Sequence, residues 1–461
     1  MERFQYAKNA PNPTGENQYA AGRKRRPRGP RSTLVPLHPK FDLKTRAHAY
    51  YLQNHFQVFQ DMPEIVTTWA ECLHKWRADN KSSLIVDLAF SALALSVYAR
   101  FQNCRSAETE ACTFYLELLQ HMQGCILHIH NTNPDADDID AYLLGAHFMA
   151  RYESFVQNHD SGTIIKDFKQ IKVWYHFEGA AAVLKFWYDH RPQYAPTWVI
   201  KQSRRKLIKS SLIREQPLPG WLADGNIFGE SDVALDFDSL IIRFIDVHQR
   251  YLKVKQAGAD GEPVSQGLND LVSDSRKLGH NLLDWSTRLP GKWQYLKHKL
   301  PETSNFPQDE FYATIVISCA KLGYSAVWTE YYALRMLTSH THLRILDLLA
   351  PQHSFEHRPE TLEGLVELTS SADSLAAIIP FCLKRIQINS DQRLNRSVEI
   401  SNEPFQPYLA SLVVWPMSLA SSLQKLEPTQ KEWFRSALCW VSRESSECLL
   451  AYAMSDYWAL R

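Results

Sequence analysis

The chain has 461 residues, 45% of them hydrophobic and 12% aromatic, ample material for a sizeable core, and its length alone allows two or three domains. Its formal net charge is only +1 but is unevenly spread: residues 1–40 hold nine basic and two acidic side chains, which leaves 42 basic and 48 acidic over residues 41–461. A basic arm on a mildly acidic body favours contact with an anionic partner, and eight scattered cysteines with no C-x-x-C spacing exclude the usual zinc and redox pairings.

Residues 1–40 are rich in proline, poor in large apolar side chains and without a sustained period, which predicts a disordered basic arm or linker. Its charge is concentrated in "GRKRRPRGPRS", through Arg23, Lys24, Arg25, Arg26, Arg28 and Arg31. A proline-broken basic run of this kind suits an import receptor, so it reads first as a nuclear localisation signal. Second, it reads as a tether making sequence-independent contacts with nucleic-acid phosphates.

From Phe41 onward the pattern is helical, and residues 41–461 read as one helical domain. "LIVDLAFSALALSVYA", Leu84–Ala99, is the most apolar stretch. It is short for a span of about 20 residues and Asp87 interrupts it, so a buried core helix is expected and no membrane partner. Tyr115, Leu119, Met122, Ile126 and Ile129 form one helical stripe; Tyr142, Gly145, Met149, Tyr152 and Val156 form a second; Trp174, Phe177, Ala181, Leu184 and Tyr188 form a third. Asp137, Asp138 and Asp140 stand where the second helix should begin, and acids there favour the positive helix end. They do not make a calcium loop: counting from Asp135, the sixth position is Asp140, where such a loop needs glycine. "NHDSG" at Asn158–Gly162 reads as that helix's stop.

Further on, "KQSRRKLIKSSLIR" places Lys201, Arg204, Arg205, Lys206, Lys209 and Arg214 on a helical period, which reads as a solvated basic face. Loops are marked at Glu215–Asp232, Gly258–Pro263 and Leu349–Glu360. The best strand signal is "SVEIS" around Val398. Thr429 and Glu432 of "PTQKE" read as a capping box opening the last helix. The expected fold is therefore all-α: an irregular or solenoid-like multi-helix bundle behind a disordered basic N-terminal arm.

Motifs with chemistry are few. His353, Glu356 and His357 match H-x-x-E-H, but Pro351 and Pro359 bracket them and leave little room for a metal-binding helix. The pairs His128/His130 and His340/His342 sit in or beside helical patterns, where i and i+2 diverge too far to share a metal. There is no phosphate-binding glycine loop, dinucleotide fingerprint or nucleophile elbow. No catalytic residue, metal or cofactor is therefore assigned. Trp174, Trp187, Trp328, Trp415, Trp433 and Trp440 read as core filling at helix crossings, with an aromatic-lined cavity for a small effector as the sharper alternative.

Several ordered blocks between about residues 34 and 455 resemble the regulatory region of fungal-specific transcription factors of the zinc binuclear cluster kind. They are "PLHPKFDLKTRAHAYYLQNHF", "VDLAFSALALSVYARF" with "ACTFYLELLQHM", and "YLLGAHFMARYESF" with "WYHFEGAAAVLKF". "AVWTEYYALRMLTSHTHLRIL" and "VVWPMSLASS" with "EWFRSALCWV" complete the set. The residues that carry the resemblance are Tyr152, Glu153, Trp174, His176, Gly179, Ala180 and Leu184, then Trp328, Tyr332, Arg335 and Met336, then Trp415, Pro416 and Trp433. They are expected to determine the fold: Gly179 and Ala180 by letting a neighbouring helix approach closely, Trp174 and Leu184 by filling the interface. The family's usual DNA reader has six cysteines binding two zinc ions, whereas the first cysteine here is Cys72, already inside the helical body.

The resemblance implies a nuclear transcriptional regulator, not an enzyme, that acts through a helical regulatory domain without a recognisable zinc cluster. Its partners would be the transcription machinery or other regulators, nonspecific DNA and a small-molecule effector. The alternatives are a non-catalytic helical scaffold for protein contacts and, remotely, a metal-dependent hydrolase built on His353, Glu356 and His357.

Overall fold

The computed structural model describes residues 41–59, 61–79, 81–129, 136–157, 173–190, 195–259, 265–301, 306–349, 359–389 and 397–445. The chain divides between Phe41 and Asp42. The basic arm, "NHDSG", His130 and the "HSFEH" segment lie outside the described residues, as does the side chain of His128.

The fold is all-α. Its helices run α1 (Leu43–Asn54), α2 (Trp69–Ala78), α3 (Leu84–Phe101), α4 (Arg105–Ile129), α5 (Ala136–Gln157), α6 (Val173–His190) and α7 (Trp198–Ile213). They continue through α8 (Asp232–Ala259), α9 (Ser265–Thr287), α10 (Leu322–Leu349), α11 (Pro359–Cys382), α12 (Val414–Ser422) and α13 (Pro428–Glu444). Two antiparallel strand pairs are set among them. One is β1 (Tyr295–Lys299) with β2 (Ile315–Cys319), Tyr295 opposite Cys319. The other is β3 (Ile386–Asn389) with β4 (Ser397–Ile400), Ile386 opposite Ile400. The "SVEIS" signal is thus a strand. The first pair escapes the sequence because "YLKHK" is polar and "IVISC" is a continuous apolar run, which periodicity cannot tell from a helix segment.

Two cores organise the helices. The first gathers buried side chains from α1 to α7 around α3. The sequence of α3 is apolar nearly all round, with Asp87 in its first turn left exposed, and the helix packs against α1, α4 and α5. The second core surrounds α10, which packs against α8, α9, α11 and α12. In a solenoid each unit would touch only its sequence neighbours; with α10 as a hub the arrangement is the irregular bundle. The helix α7 joins the two: Val199, Ile200 and Leu207 belong to the first core, Ile208 and Leu212 to the second.

Helix starts follow local chemistry. The Asp42 carboxylate accepts the Thr45 N–H at 2.8 Å and caps α1. At α2, Glu71 reaches back to accept the Thr68 N–H at 2.7 Å and also takes that residue's hydroxyl. The Thr197 hydroxyl accepts the Ile200 N–H at 3.2 Å at the head of α7. The expected capping box at Thr429 and Glu432 is not formed: α13 begins earlier, with Pro428 at its first position, where a residue lacking an N–H leaves nothing unsatisfied.

A second expectation also fails. Gly179 does not mark a close helix approach, because a Cβ placed there would meet nothing within 4 Å. The close approach lies at Gly145, where a Cβ would fall 2.5 Å from Ile85 Cγ2 between α5 and α3. Ala180 is half-buried against the first core, and Leu184 is fully buried within it.

Candidate functional site

The basic helix α7 is not a solvated face. Arg204 is fully buried and Arg205 nearly so. The segment Glu215–Asp232, polar and glycine-rich in sequence, folds through two short 3-10 turns that bring main-chain carbonyls to Arg204. Its Nε donates to Leu222 O at 2.9 Å and its Nη2 to Ala223 O at 3.3 Å. Nη1 donates to Asp238 Oδ2 at 2.9 Å, from the first turns of α8. Arg205 shares Asp238, donates to Glu230 and reaches the Glu64 carbonyl. Two guanidiniums thus face the two buried carboxylates of Glu230 and Asp238, with Glu64 beside them. Such a cluster is tolerated inside a protein only when charges are matched and hydrogen bonds nearly complete. Burial still pushes the Glu230 carboxyl up to about 7, against the pull of both arginines. Lys201 and Lys209 of α7 and Arg214 just past its end are paired too: Lys209 with Glu330 at 2.7 Å, Lys201 with Glu64 at 3.3 Å and Arg214 with Glu178 at 2.7 Å.

This helix forms one side of a cavity of about 190 Å³ at the junction of the two cores. The wall combines residues from the segment before α2, from α5, α6, α7 and α10, and from the start of α12. It includes the aromatic rings of Trp69, Trp174, Phe177 and Trp415. Trp69 stacks on His147 with ring centroids 3.7 Å apart, and the Lys209 ammonium lies 4.9 Å from the Trp415 ring. The charged side chains of the wall are Arg151, Arg205, Lys206 and Lys209 against the single carboxylate of Glu330. Five wall residues carry a buried polar atom with no protein partner: Trp69 Nε1, His147 Nε2, Gln202 Oε1, Glu330 Oε2 and Trp415 Nε1.

The residues that carry the family resemblance fall into three places. Trp174 and Trp415, far apart in the chain, meet in the cavity wall. Next to Trp415, Pro416 sits buried in the first turn of α12, where a proline is tolerated. Tyr152, Glu153 and His176 join a polar node that links α4, α5 and α6. There Tyr115 donates to Glu153 Oε1 at 2.6 Å, stands 3.1 Å from His176 Nε2 and stacks on Tyr152 at 4.4 Å between centroids. Burial lowers the pKa of His176 and, with the Glu153 contact, raises that of Tyr115, so both stay neutral near pH 7. Away from the cavity, Trp328 is buried and donates to Trp293 O at 2.8 Å. Arg335 ties α10 to α11 through Glu367, its Nε 3.1 Å from Oε1.

One other sequence reading changes. Asp140 is more than a helix-end acid: it is buried, accepts the Thr197 hydroxyl at 2.6 Å and lies 3.6 Å from Lys81, and burial raises its carboxyl to about 6. His340 and His342 do point apart, His342 to Ser275 at 2.7 Å on α9 and His340 into the core with its Nε2 unpartnered. Among the described residues no group of three or more His, Cys, Asp and Glu side chains is placed to hold a metal. The inward turn of Arg204 and Arg205 has no signal in the sequence, whereas an aromatic-lined cavity is there as the alternative to core filling. Compared with known protein families, curated proteins and solved structures, the chain finds no match.

Proposed function

We propose that the chain regulates transcription from the nucleus through its helical body, which responds to a small effector held in the cavity between the two cores. The observation that carries this reading is the meeting of Trp174 and Trp415 in one wall: the blocks that resemble the fungal regulatory region converge on a space the size of a small molecule. The body acts on the transcription machinery or on other regulators, and the arm from Arg23 to Arg31 supplies the nuclear address and a sequence-independent grip on DNA.

The test uses the tagged full chain. Replacing Arg23–Arg26 with alanine moves it out of the nucleus; unchanged nuclear retention overturns the address. For DNA, six basic residues meeting six phosphates give a slope of log affinity against log salt of about −5, and affinity that does not vary with salt overturns the grip.

A second reading, a helical scaffold for protein contacts, has one observation in its favour. Leu362, Leu365 and Val366 of α11 form a helical stripe that is 63%, 37% and 61% exposed. The two readings separate in a transcription reporter: a scaffold without a regulatory role leaves the reporter unchanged.

A further inference from the structure

We propose that the open edge of β1 docks an extended acidic segment of a partner protein, which joins the β1–β2 pair as a third strand. This docking does not depend on the cavity or its occupant. The two edges of the sheet differ. β2 is buried over residues 316–319 and packs against α10 and α11, so β1 is the outer strand. The Leu300 N–H donates to Thr314 O at 2.8 Å, which makes Leu300 and Thr314 a hydrogen-bonded pair. Such pairs alternate along an antiparallel ladder, so Leu296 and His298 point their main-chain groups at β2, and Tyr295 and Lys297 point theirs away from it. An outward row of N–H and C=O groups is a template for one more strand.

Charge selects the strand. The body is mildly acidic, yet residues 285–301 and 312–321 hold no carboxylate and carry Arg288, Lys292, Lys297, Lys299 and Lys321. Arg288 is paired with Asp236 and Lys321 with Asp61, whereas Lys292 and Lys297 are exposed and make no ion pair among the described residues. Lysine on an edge turns away a second copy of the same strand, since like charges would face each other, and draws in a strand of opposite charge. Leu296 and Lys297 are neighbours on the strand and stand on opposite faces, and Leu296 is 46% exposed. The complementary segment therefore alternates acidic and apolar residues, with its acids on the Lys297 face and its apolar side chains beside Leu296. A nucleic-acid backbone matches the charge but has no N–H groups for the outward carbonyls, which favours a polypeptide.

The experiment is fluorescence anisotropy of the full chain with a labelled eight-residue peptide of alternating glutamate and valine. A lysine–valine peptide reverses the charge, and a glutamate–valine peptide N-methylated at every amide keeps the charge and loses the donors. The first peptide is expected to bind about tenfold more tightly than either control. Lys297→Gln removes the charge and weakens the peptide about threefold. Lys297→Pro also removes the outward N–H, which β2 does not use, and weakens the peptide about tenfold. Should Lys297→Pro fail to fold, the N-methylated peptide still reports on strand pairing. Equal binding of either control, affinity unchanged in both Lys297 variants, or no binding at millimolar concentration overturns the proposal. Duplex DNA that binds more tightly than the peptide and is lost in Lys297→Gln assigns the patch to phosphates, and a dimer lost in Lys297→Pro assigns the edge to a second copy; either result overturns the acidic strand.

Discussion

Arg204, with no exposed surface, donates to Asp238 Oδ2 at 2.9 Å across the junction of α7 and α8. The pair is almost wholly out of water, so Arg204 depends on Asp238 and on the Leu222 and Ala223 carbonyls, and Asp238 on Arg204 and Arg205. Arg204→Met leaves Asp238 and Glu230 buried with one guanidinium between them, and should cost about 3–5 kcal/mol. Arg288 and Asp236 provide the contrast: their side chains are 61% and 46% exposed at 2.8 Å separation, and Arg288→Ala should cost about 0–1 kcal/mol. Urea denaturation of both variants checks this. Equal losses would mean that the buried cluster is not what fixes α7.

The glycines give a prediction of opposite signs. A methyl group at Gly179 meets open space on a helix, so Gly179→Ala should stabilise by about 0.4–1 kcal/mol through the unfolded chain's lost freedom. At Gly145 the same change drives Cβ against Ile85 Cγ2, a stiff β-branched side chain in the core helix α3, and should destabilise by about 1–3 kcal/mol. Thermal melts of the two variants should move in opposite directions. A fall in Tm for Gly179→Ala would restore it as a packing position.

Acid should weaken the fold through its histidines. Burial lowers His48 to about 4 and His55 and His340 to about 3, and lowers His147, His176 and His342 as well. A histidine depressed in the folded state binds its proton mainly in the unfolded chain. Its contribution is therefore present above the unfolded value near 6.5 and lost as pH falls below it. Asp140 and Glu230, raised to about 6 and about 7, and Asp373, raised by burial, act in the other direction, because the folded state holds their protons longer. Six groups outweigh three, so stability should fall from pH 6.5 to pH 5, by about 1.4 kcal/mol per pH unit for each net proton. Urea midpoints measured across that range check the slope, and His340→Phe should flatten it. A midpoint that holds steady or rises on acidification would contradict the assignment.

What the sequence makes legible is whatever depends on local periodicity. The stripe from Tyr142 to Val156 and that from Trp174 to Tyr188 lie on helices α5 and α6, and Leu84–Ala99 lies in the buried helix α3. The inward turn of Arg204 and Arg205 is hidden because their acids, Asp238 and Glu230, lie 34 and 25 residues further along the chain. Read alone, "RRK" looks like a surface. The Tyr115–Glu153–His176 node is hidden for the same reason, since three separate helices supply it. The cavity is lined by α5, α6, α7, α10 and α12 together, so no single stretch decides between core filling and an aromatic-lined cavity for Trp174 and Trp415, which line the space.

The most direct measurement fuses the full chain to a heterologous DNA-binding domain upstream of a reporter gene. It compares the unchanged sequence with Ala150→Phe, which fills the cavity from α5. The unchanged chain should shift reporter output severalfold from that of the DNA-binding domain alone, and the filled variant, folded by circular dichroism, should lose the shift. Output indistinguishable from the DNA-binding domain alone would contradict a regulatory body, and a filled variant as active as the unchanged chain would contradict the cavity's part in it.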